Sequence, residues 1–158
     1  FMKRFTYLCH FGLGLALSSA PMGGWMAATG EFAWQAVPLG MAVLLWVAGF
    51  DILYSLQDVD FDRKEGLHSI PVRYGERPAL AIMRYCHIAA VLALILFGGV
   101  NGYGWVYWTG MGVCGGLLVL ENVIVNENDL SHLQTAFFTI NSWFGILLLI
   151  FTFLEIFK

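Results

Sequence analysis

Long stretches without a charged residue constrain the fold of this chain more than any other feature. Residues 7–30 and 32–50 contain no Asp, Glu, Lys or Arg, and residues 85–120 continue without one for 36 positions. About 20 apolar residues are enough for a helix to cross the hydrocarbon core of a bilayer. Only 12% of the residues are charged and 59% are hydrophobic, whereas a soluble domain carries about 25% charged residues. The sequence therefore predicts an integral membrane protein in a lipid bilayer.

Turn signals divide these stretches into five predicted membrane-spanning helices. Glu31 interrupts the first pair of stretches, and Asn101-Gly-Tyr-Gly104 divides the longest one. Pro21 predicts a kink in the first helix, and a short helix is predicted between Ser69 and Tyr74. We expect an all-α, multi-pass transmembrane helical bundle, with helices near 7–30, 32–50, 78–100, 104–125 and 133–154.

The distribution of basic residues predicts the orientation of this bundle. Seven of the eight Lys and Arg residues lie on one side of a five-helix path: Lys3, Arg4, Arg63, Lys64, Arg73, Arg77 and Arg84. Short loops rich in Lys and Arg stay in the cytoplasm. We therefore expect that side to be cytoplasmic and the C-terminus, with Lys158, to lie on the outer side. The basic residues form no continuous stripe, so no nucleic-acid partner is expected.

An acidic segment directly follows the second uncharged stretch. On a helix that turns about 100° per residue, Asp51, Asp58 and Asp62 lie within roughly 40° of one another, with Tyr54 about 60° to one side and Asp60 roughly opposite. Carboxylates crowded at a membrane edge are costly unless a hard cation lies among them. An acidic, solvated helix end is the alternative, but the shared face at the exit of an apolar helix favours a Mg²⁺ site.

Basic residues bracket this acidic segment. Lys3 and Arg4 precede the first helix on the same side, and Arg63, Lys64 and Arg73 follow the aspartates. Mg²⁺ is usually held by one or two carboxylates together with substrate phosphates. Carboxylates for a metal and basic side chains for an anion are the pattern expected around a diphosphate leaving group. The pattern indicates a membrane enzyme that acts on a lipid diphosphate from the cytoplasmic side.

These motifs resemble those of a known family. The spacing from Asp51 through Tyr54 and Asp58 to Asp62 is similar to the second aspartate-rich motif of the UbiA superfamily of intramembrane prenyltransferases. Lys3-Arg4-Phe5-Thr6 resembles the KRxT element before that family's fifth helix. The resemblance covers the whole chain, whose five predicted helices match the family's helices five to nine. The subfamily that it resembles is the 4-hydroxybenzoate polyprenyltransferases, including relatives in the futalosine route to menaquinone.

The resemblance implies a reaction and roles for particular residues. Asp51, Asp58 and Asp62 would help hold Mg²⁺ against a polyprenyl diphosphate, with Tyr54 hydrogen-bonded within the cluster. The implied diphosphate contacts are Lys3, Arg4, Lys64 and Arg73. Ionisation gives an allylic cation that the ring of an aromatic acid such as 4-hydroxybenzoate attacks, and one of the aspartates takes the ring proton. We expect a role in ubiquinone or menaquinone biosynthesis in the bacterial inner membrane.

One motif of the family has no counterpart in this sequence. The first aspartate-rich motif, of NDxxDxxxD type, is not found, because Asp129 follows Asn128 but no further Asp stands at the needed spacing. Half of the metal site is therefore expected on another part of a longer protein. We interpret residues 1–158 as the C-terminal portion of a single UbiA-like domain and predict that this portion alone is inactive.

Two other functions stay open. A CDP-alcohol phosphatidyltransferase also combines membrane carboxylates with Mg²⁺, but its motif needs Asp-Gly and Ala-Arg where residues 52–57 read Ile-Leu-Tyr-Ser-Leu-Gln. A non-catalytic membrane subunit or transporter could bind a cation at the cluster, yet no polar line crosses the predicted helices.

Four polar residues outside the acidic segment are expected to have structural roles and not to bind a ligand. His10 and His87 are isolated in the sequence, and an interface role is favoured over a ligand role for both. Glu121 lies near the cytoplasmic end of a predicted helix, where snorkelling to the interface is expected. Asn141, inside the last helix, is expected to form an interhelical hydrogen bond.

Overall fold

The computed structural model describes residues 1–125 and 133–158, except for the side chains of residues 135–137. The described residues form seven α-helices and no strand: α1 (Cys9–Thr29), α2 (Val37–Ser55), α3 (Val59–Lys64), α4 (Ile70–Tyr74), α5 (Glu76–Val100), α6 (Trp105–Ile124) and α7 (Asn141–Ile156). Short 3₁₀ turns cover Met2–Arg4, Trp34–Ala36 and Leu56–Asp58, and a π-helical turn covers Thr135–Ile140. The all-α prediction is confirmed for this part of the chain.

Three helical stretches within the described residues are long and apolar enough to cross a membrane. They are Trp34–Lys64, Glu76–Val100 and Phe138–Ile156. Helices α1 and α6 have spanning lengths of 21 and 20 residues, but glycines and polar side chains lower their mean hydropathy. A membrane-embedded helical protein follows from the three stretches, and five crossings with a cytoplasmic acidic loop stay a prediction.

Helix α2 is the centre of the bundle. It packs against α1 on one side and α5 on the other, while α6 pairs mainly with α7. Glycines allow these close approaches: a Cβ at Gly14 of α1 would overlap the carbonyl oxygen of Leu44 in α2. One buried cluster near the acidic segment includes Ile52 and Met83, and a second cluster includes Tyr107 and Phe144. The apolar side chains of these two clusters therefore hold α2 between α1 and α5.

The helix boundaries bear on the predicted short helix, the proline in the first helix and the start of the last helix. The short helix α4 is present and ends at Gly75, whose φ of 87° suits glycine. Helix α1 continues through Pro21 without interruption. Helical structure begins at residue 133, as predicted: residues 133–134 are helical, the π-helical turn covers Thr135–Ile140, and α7 follows directly from Asn141. Asn128 and Asp129, which were compared with the family's first aspartate-rich motif, lie outside the described residues.

The acidic segment is helical throughout but is not one continuous α-helix, so a wheel with 3.6 residues per turn describes it only approximately. Helix α2 ends at Ser55, and the next amide, that of Leu56, donates to both Leu53 and Tyr54. The chain then passes through the 3₁₀ turn before α3 begins at Val59. A 3₁₀ turn has 3.0 residues per turn instead of 3.6, so the directions of later side chains are rotated. The positions of the aspartates are therefore decided by tertiary contacts.

Candidate active site

The ammonium of Lys3 lies between two carboxylates of the acidic segment. Its Nζ is 2.9 Å from Oδ2 of Asp62 and 3.6 Å from Oδ2 of Asp58. The Asp62 side chain is only 2% exposed, compared with 29% for Lys3 and 39% for Asp58. Lys3 therefore supplies the charge that makes burial of Asp62 tolerable.

Charges around Lys3 keep it protonated at neutral pH. Burial alone lowers the pKa of this amine, but the hydrogen bond to Asp62 and the charges of Asp62, Asp58 and Asp51 outweigh burial. The pKa of Lys3 is consequently raised above its ordinary value. All three aspartates of the predicted motif thus act on one cationic group.

Asp51 enters the same region from the last turns of α2. It lines a cleft of about 320 Å³ together with Lys3, Cys9 and Gly12. Its Oδ2 lies 2.6 Å from Nδ1 of His10, which is fully buried on α1. His10 and Asp51 are 41 positions apart, so no local spacing in the sequence signals that they pair.

Backbone contacts hold the N-terminal segment against the loop that follows α3. The amide of His68 donates to the carbonyl of Lys3 at 2.6 Å, and the Cys9 thiol donates to the carbonyl of His68 at 3.4 Å. The rings of Tyr7 and His68 meet edge to face, with centroids 4.8 Å apart. These contacts place Lys3 beside α3 by fixing the chain at Lys3 and on its C-terminal side.

The remaining predicted site residues are Tyr54, Arg4, Lys64 and Arg73. Tyr54 is on α2 and is 37% exposed. Arg4 and Lys64 are exposed, while the Arg73 guanidinium lies 4.4 Å from the centre of the Tyr7 ring. Among the described residues, no ion pair joins Arg4, Lys64 or Arg73 to the three aspartates. Their contacts with a diphosphate stay a prediction, as does the hydrogen bond expected of Tyr54.

Asp60 points away from the other acidic side chains. It is fully exposed, and its Oδ1 lies 3.8 Å from the Arg63 guanidinium. Asp60 thus offers a nearby carboxylate of the same chemistry outside the cleft.

The donor atoms suit Mg²⁺ when phosphate oxygens complete its coordination. Within residues 1–125 and 133–158, no three His, Cys, Asp or Glu side chains form a ready-made metal site. Asp58 and Asp62 nevertheless direct oxygen atoms at one cation, the Lys3 ammonium. Mg²⁺ takes oxygen ligands, and one or two carboxylates suffice when substrate phosphates supply the rest. The aspartates therefore fit a Mg²⁺ ion that is bound together with a diphosphate.

A second buried polar group lies among the helices. The amide of Asn141 donates to Oε1 of Glu121 at 2.8 Å and accepts from the indole of Trp46 at 2.8 Å. Nδ1 of His87 lies 3.5 Å from Oε2 of Glu121. The interhelical role expected of Asn141 is confirmed. The snorkelling expected of Glu121 is wrong, because this side chain is fully buried and held by α7.

The amino-acid sequence is similar to those of known proteins. The model of the UbiA prenyltransferase family matches residues 1–144. A 4-hydroxybenzoate octaprenyltransferase from Citrobacter koseri is 32% identical over 154 residues, which is 94% of this chain and 50% of the relative. The enzyme of the same name from Pseudoalteromonas translucida is 30% identical over 92% of this chain and 49% of its own length. The chain thus spans about half the length of the curated relatives that it matches.

Two solved structures share the fold. The apo structure of a UbiA homologue from Aeropyrum pernix K1 matches 94% of this chain and 57% of its own with a TM-score of 0.79 and 30% identity. A digeranylgeranylglyceryl phosphate synthase structure matches 95% of this chain and 53% of its own with a TM-score of 0.81. At 23% identity, the second likeness shows the fold alone. Together with the family match over 144 of 158 residues, these likenesses show that the chain belongs to the UbiA prenyltransferase family.

Proposed function

We propose that this chain is the C-terminal portion of an intramembrane aromatic prenyltransferase. The full-length protein would move a polyprenyl group from its diphosphate to an aromatic acid such as 4-hydroxybenzoate, in quinone biosynthesis. The observation that carries the proposal is the Lys3 ammonium between Asp58 and Asp62, beside the cleft that Asp51 lines. The names of the relatives support the choice of acceptor, and the comparisons do not favour a phosphatidyltransferase.

In this mechanism the chain holds the leaving group and receives a proton. Lys3 contacts the diphosphate, with Arg4, Lys64 and Arg73 as further anion contacts. The bond between the prenyl C1 and the diphosphate oxygen breaks, and its electron pair leaves with the diphosphate. A ring carbon of the acceptor then forms the new carbon–carbon bond to C1, and the displaced ring proton passes to one of the three aspartates. Mg²⁺ held by Asp51, Asp58 and Asp62 would neutralise charge on the diphosphate.

The location of the reaction follows from the same proposal. The acidic segment lies at the cytoplasmic face of a bacterial inner membrane, and the C-terminus lies on the outer face. Lys158 is stacked on Trp105 at 5.1 Å, at the start of α6. Val125, which directly follows α6, packs in the same buried cluster as Ile52 and Leu56 beside the aspartates. The start of α6, with Lys158, therefore lies toward the other end of the bundle. Residues 1–158 alone would lack half of the metal site and be inactive.

The test measures prenyl transfer in membranes that contain the full-length protein. Asp58→Asn is expected to lower the rate by about 100-fold, and chelation of Mg²⁺ should abolish transfer. Asp60→Asn is the matched control, because it removes an exposed carboxylate two positions away. Transfer that survives both Asp58→Asn and chelation would contradict the proposed site. Mg²⁺-dependent transfer to a different aromatic acid, but none to 4-hydroxybenzoate, would keep the family chemistry and overturn the choice of acceptor.

A further inference from the structure

His10 connects three helices through both nitrogens of its ring. It is the second residue of α1 and is fully buried. Its Nδ1 lies 2.6 Å from Oδ2 of Asp51 on α2. The backbone amide of Ile70, the first residue of α4, donates to its Nε2 at 3.2 Å. Both ring nitrogens of this buried side chain therefore have a partner.

The Ile70 contact assigns the proton on the ring. A backbone N–H can only donate, so Nε2 must act as an acceptor and carries no proton. The proton of the neutral imidazole then lies on Nδ1, which donates to Asp51. One Asp51 oxygen is therefore engaged by His10, and the carboxylate is fixed in direction with respect to α1 and α4.

We infer that His10 is a positioning residue, which aims the carboxylate of Asp51 into the cleft that it lines with Lys3. This inference rests on the proposed function, in which Asp51 binds a divalent cation together with a prenyl diphosphate. Hydrogen bonds to a ligating carboxylate orient it, and their loss typically weakens metal binding about 10–100-fold. His10 touches neither the cation nor the substrate. It acts by restraining the side chain of Asp51, which contacts the cation.

Substitutions at His10 separate positioning from packing. His10→Phe keeps a ring of similar size but removes the donor to Asp51 and the acceptor for Ile70. His10→Gln keeps both functions, because its amide nitrogen can donate and its amide oxygen can accept. His10→Asn carries the same amide on a chain one methylene shorter, so it reaches one partner at most. It serves in place of His10→Phe if that protein does not fold.

The experiment measures the affinity of the full-length protein for Mn²⁺ by electron paramagnetic resonance, with geranyl diphosphate present. Thermal unfolding of each variant is measured in parallel. We expect His10→Phe, or His10→Asn, to weaken Mn²⁺ binding about 10-fold or more and His10→Gln to stay within about 3-fold of wild type. In an Asp51→Asn background, His10→Phe should cause no further loss of affinity, because the oriented group is already gone.

Two results would overturn the inference and can be told apart. If His10→Phe lowers the unfolding temperature but binds Mn²⁺ as tightly as wild type, His10 only packs the helices and the proposed function is untouched. If the wild-type protein binds no Mn²⁺ with geranyl diphosphate, Asp51 is not a cation ligand, and the proposed function fails together with the role of His10.

Discussion

The Lys3 ammonium lies 2.9 Å from Oδ2 of Asp62, although 59 positions of sequence separate the two residues. This ion pair fastens the N-terminal 3₁₀ turn to α3. Asp62 is 2% exposed at its side chain, and removing one partner of a buried pair leaves an uncompensated charge. The pair therefore links the stability of this end of the bundle to the proposed diphosphate site.

Lys3→Met is expected to destabilise the protein. Breaking a fully buried pair costs about 3–5 kcal/mol, and we expect about 2 kcal/mol because Lys3 is 29% exposed. Arg63→Met is the matched control, since Arg63 pairs with the fully exposed Asp60 at 3.8 Å and such pairs contribute about 0–1 kcal/mol. Unfolding of the full-length protein in detergent gives both values. Equal losses for the two variants would mean that the burial of Asp62 does not depend on Lys3.

Gly49→Ala is expected to separate α2 from α5. A Cβ at this position would overlap the ring of His87 and would lie 3.4 Å from Cβ of Cys86. His87 is 1% exposed, so its ring has little room to move, and overpacking of this kind costs about 1–3 kcal/mol.

Gly112→Ala provides the comparison for Gly49→Ala. Gly112 lies in the middle of α6, and a Cβ there would meet nothing within 4 Å. Alanine has a helix propensity about 1 kcal/mol better than glycine, so this variant should be neutral or more stable in thermal unfolding. If Gly49→Ala is equally well tolerated, α2 and α5 do not pack as closely as described.

Asn141→Leu is expected to weaken the contacts among α2, α6 and α7. The substitution leaves the Trp46 indole and the Glu121 carboxyl without the two 2.8 Å bonds that Asn141 provides. A buried polar group without its partner costs about 1–3 kcal/mol. Ser142→Ala is the control, because the Ser142 hydroxyl donates to Phe138 within its own helical segment, and its loss should be below about 0.5 kcal/mol. Similar unfolding temperatures for the two variants would show that the Asn141 bonds are not stabilising.

Glu155→Leu is expected to loosen the start of α6. The two carboxylate oxygens of Glu155 accept the amides of Gly104 at 2.9 Å and Tyr107 at 3.2 Å. These amides belong to the first turn of α6, where backbone N–H groups have no partner within the helix. The unfolding temperature should fall, but by less than in Asn141→Leu, because Glu155 is only partly buried. Glu155→Gln retains an acceptor oxygen and should lie between wild type and Glu155→Leu. Three equal unfolding temperatures would contradict the capping role.

Local sequence signals were sufficient for much of the helical architecture. Uncharged stretches and glycine turns predicted each long helix, and Gly102 adopts the positive φ of 66° that its turn signal implies. The helical wheel gave the directions of Asp51, Asp58 and Asp62 only approximately. It treated the segment as one α-helix, whereas the chain forms a 3₁₀ turn at Leu56–Asp58.

The candidate site was predicted in residue type but only partly in geometry. Lys3 and the three aspartates could be selected because their charges are unusual beside apolar helices. His10 could not be paired with Asp51, and Glu155 could not be recognised as a cap for α6, since these contacts cross 41 and 48–51 positions of sequence.

A helical, membrane-embedded chain with aspartates at the end of an apolar helix could be predicted from the order of the residues alone. Hydropathy and turn preferences act over a few neighbouring residues, so they can be read without knowledge of the fold. Three contacts emerge only from the packed helices: Lys3 neutralises Asp62, His10 holds Asp51, and Glu121 is buried against Asn141. Each of these contacts depends on the packing of two helices, because the relative rotation and height of the helices set which side chains can meet.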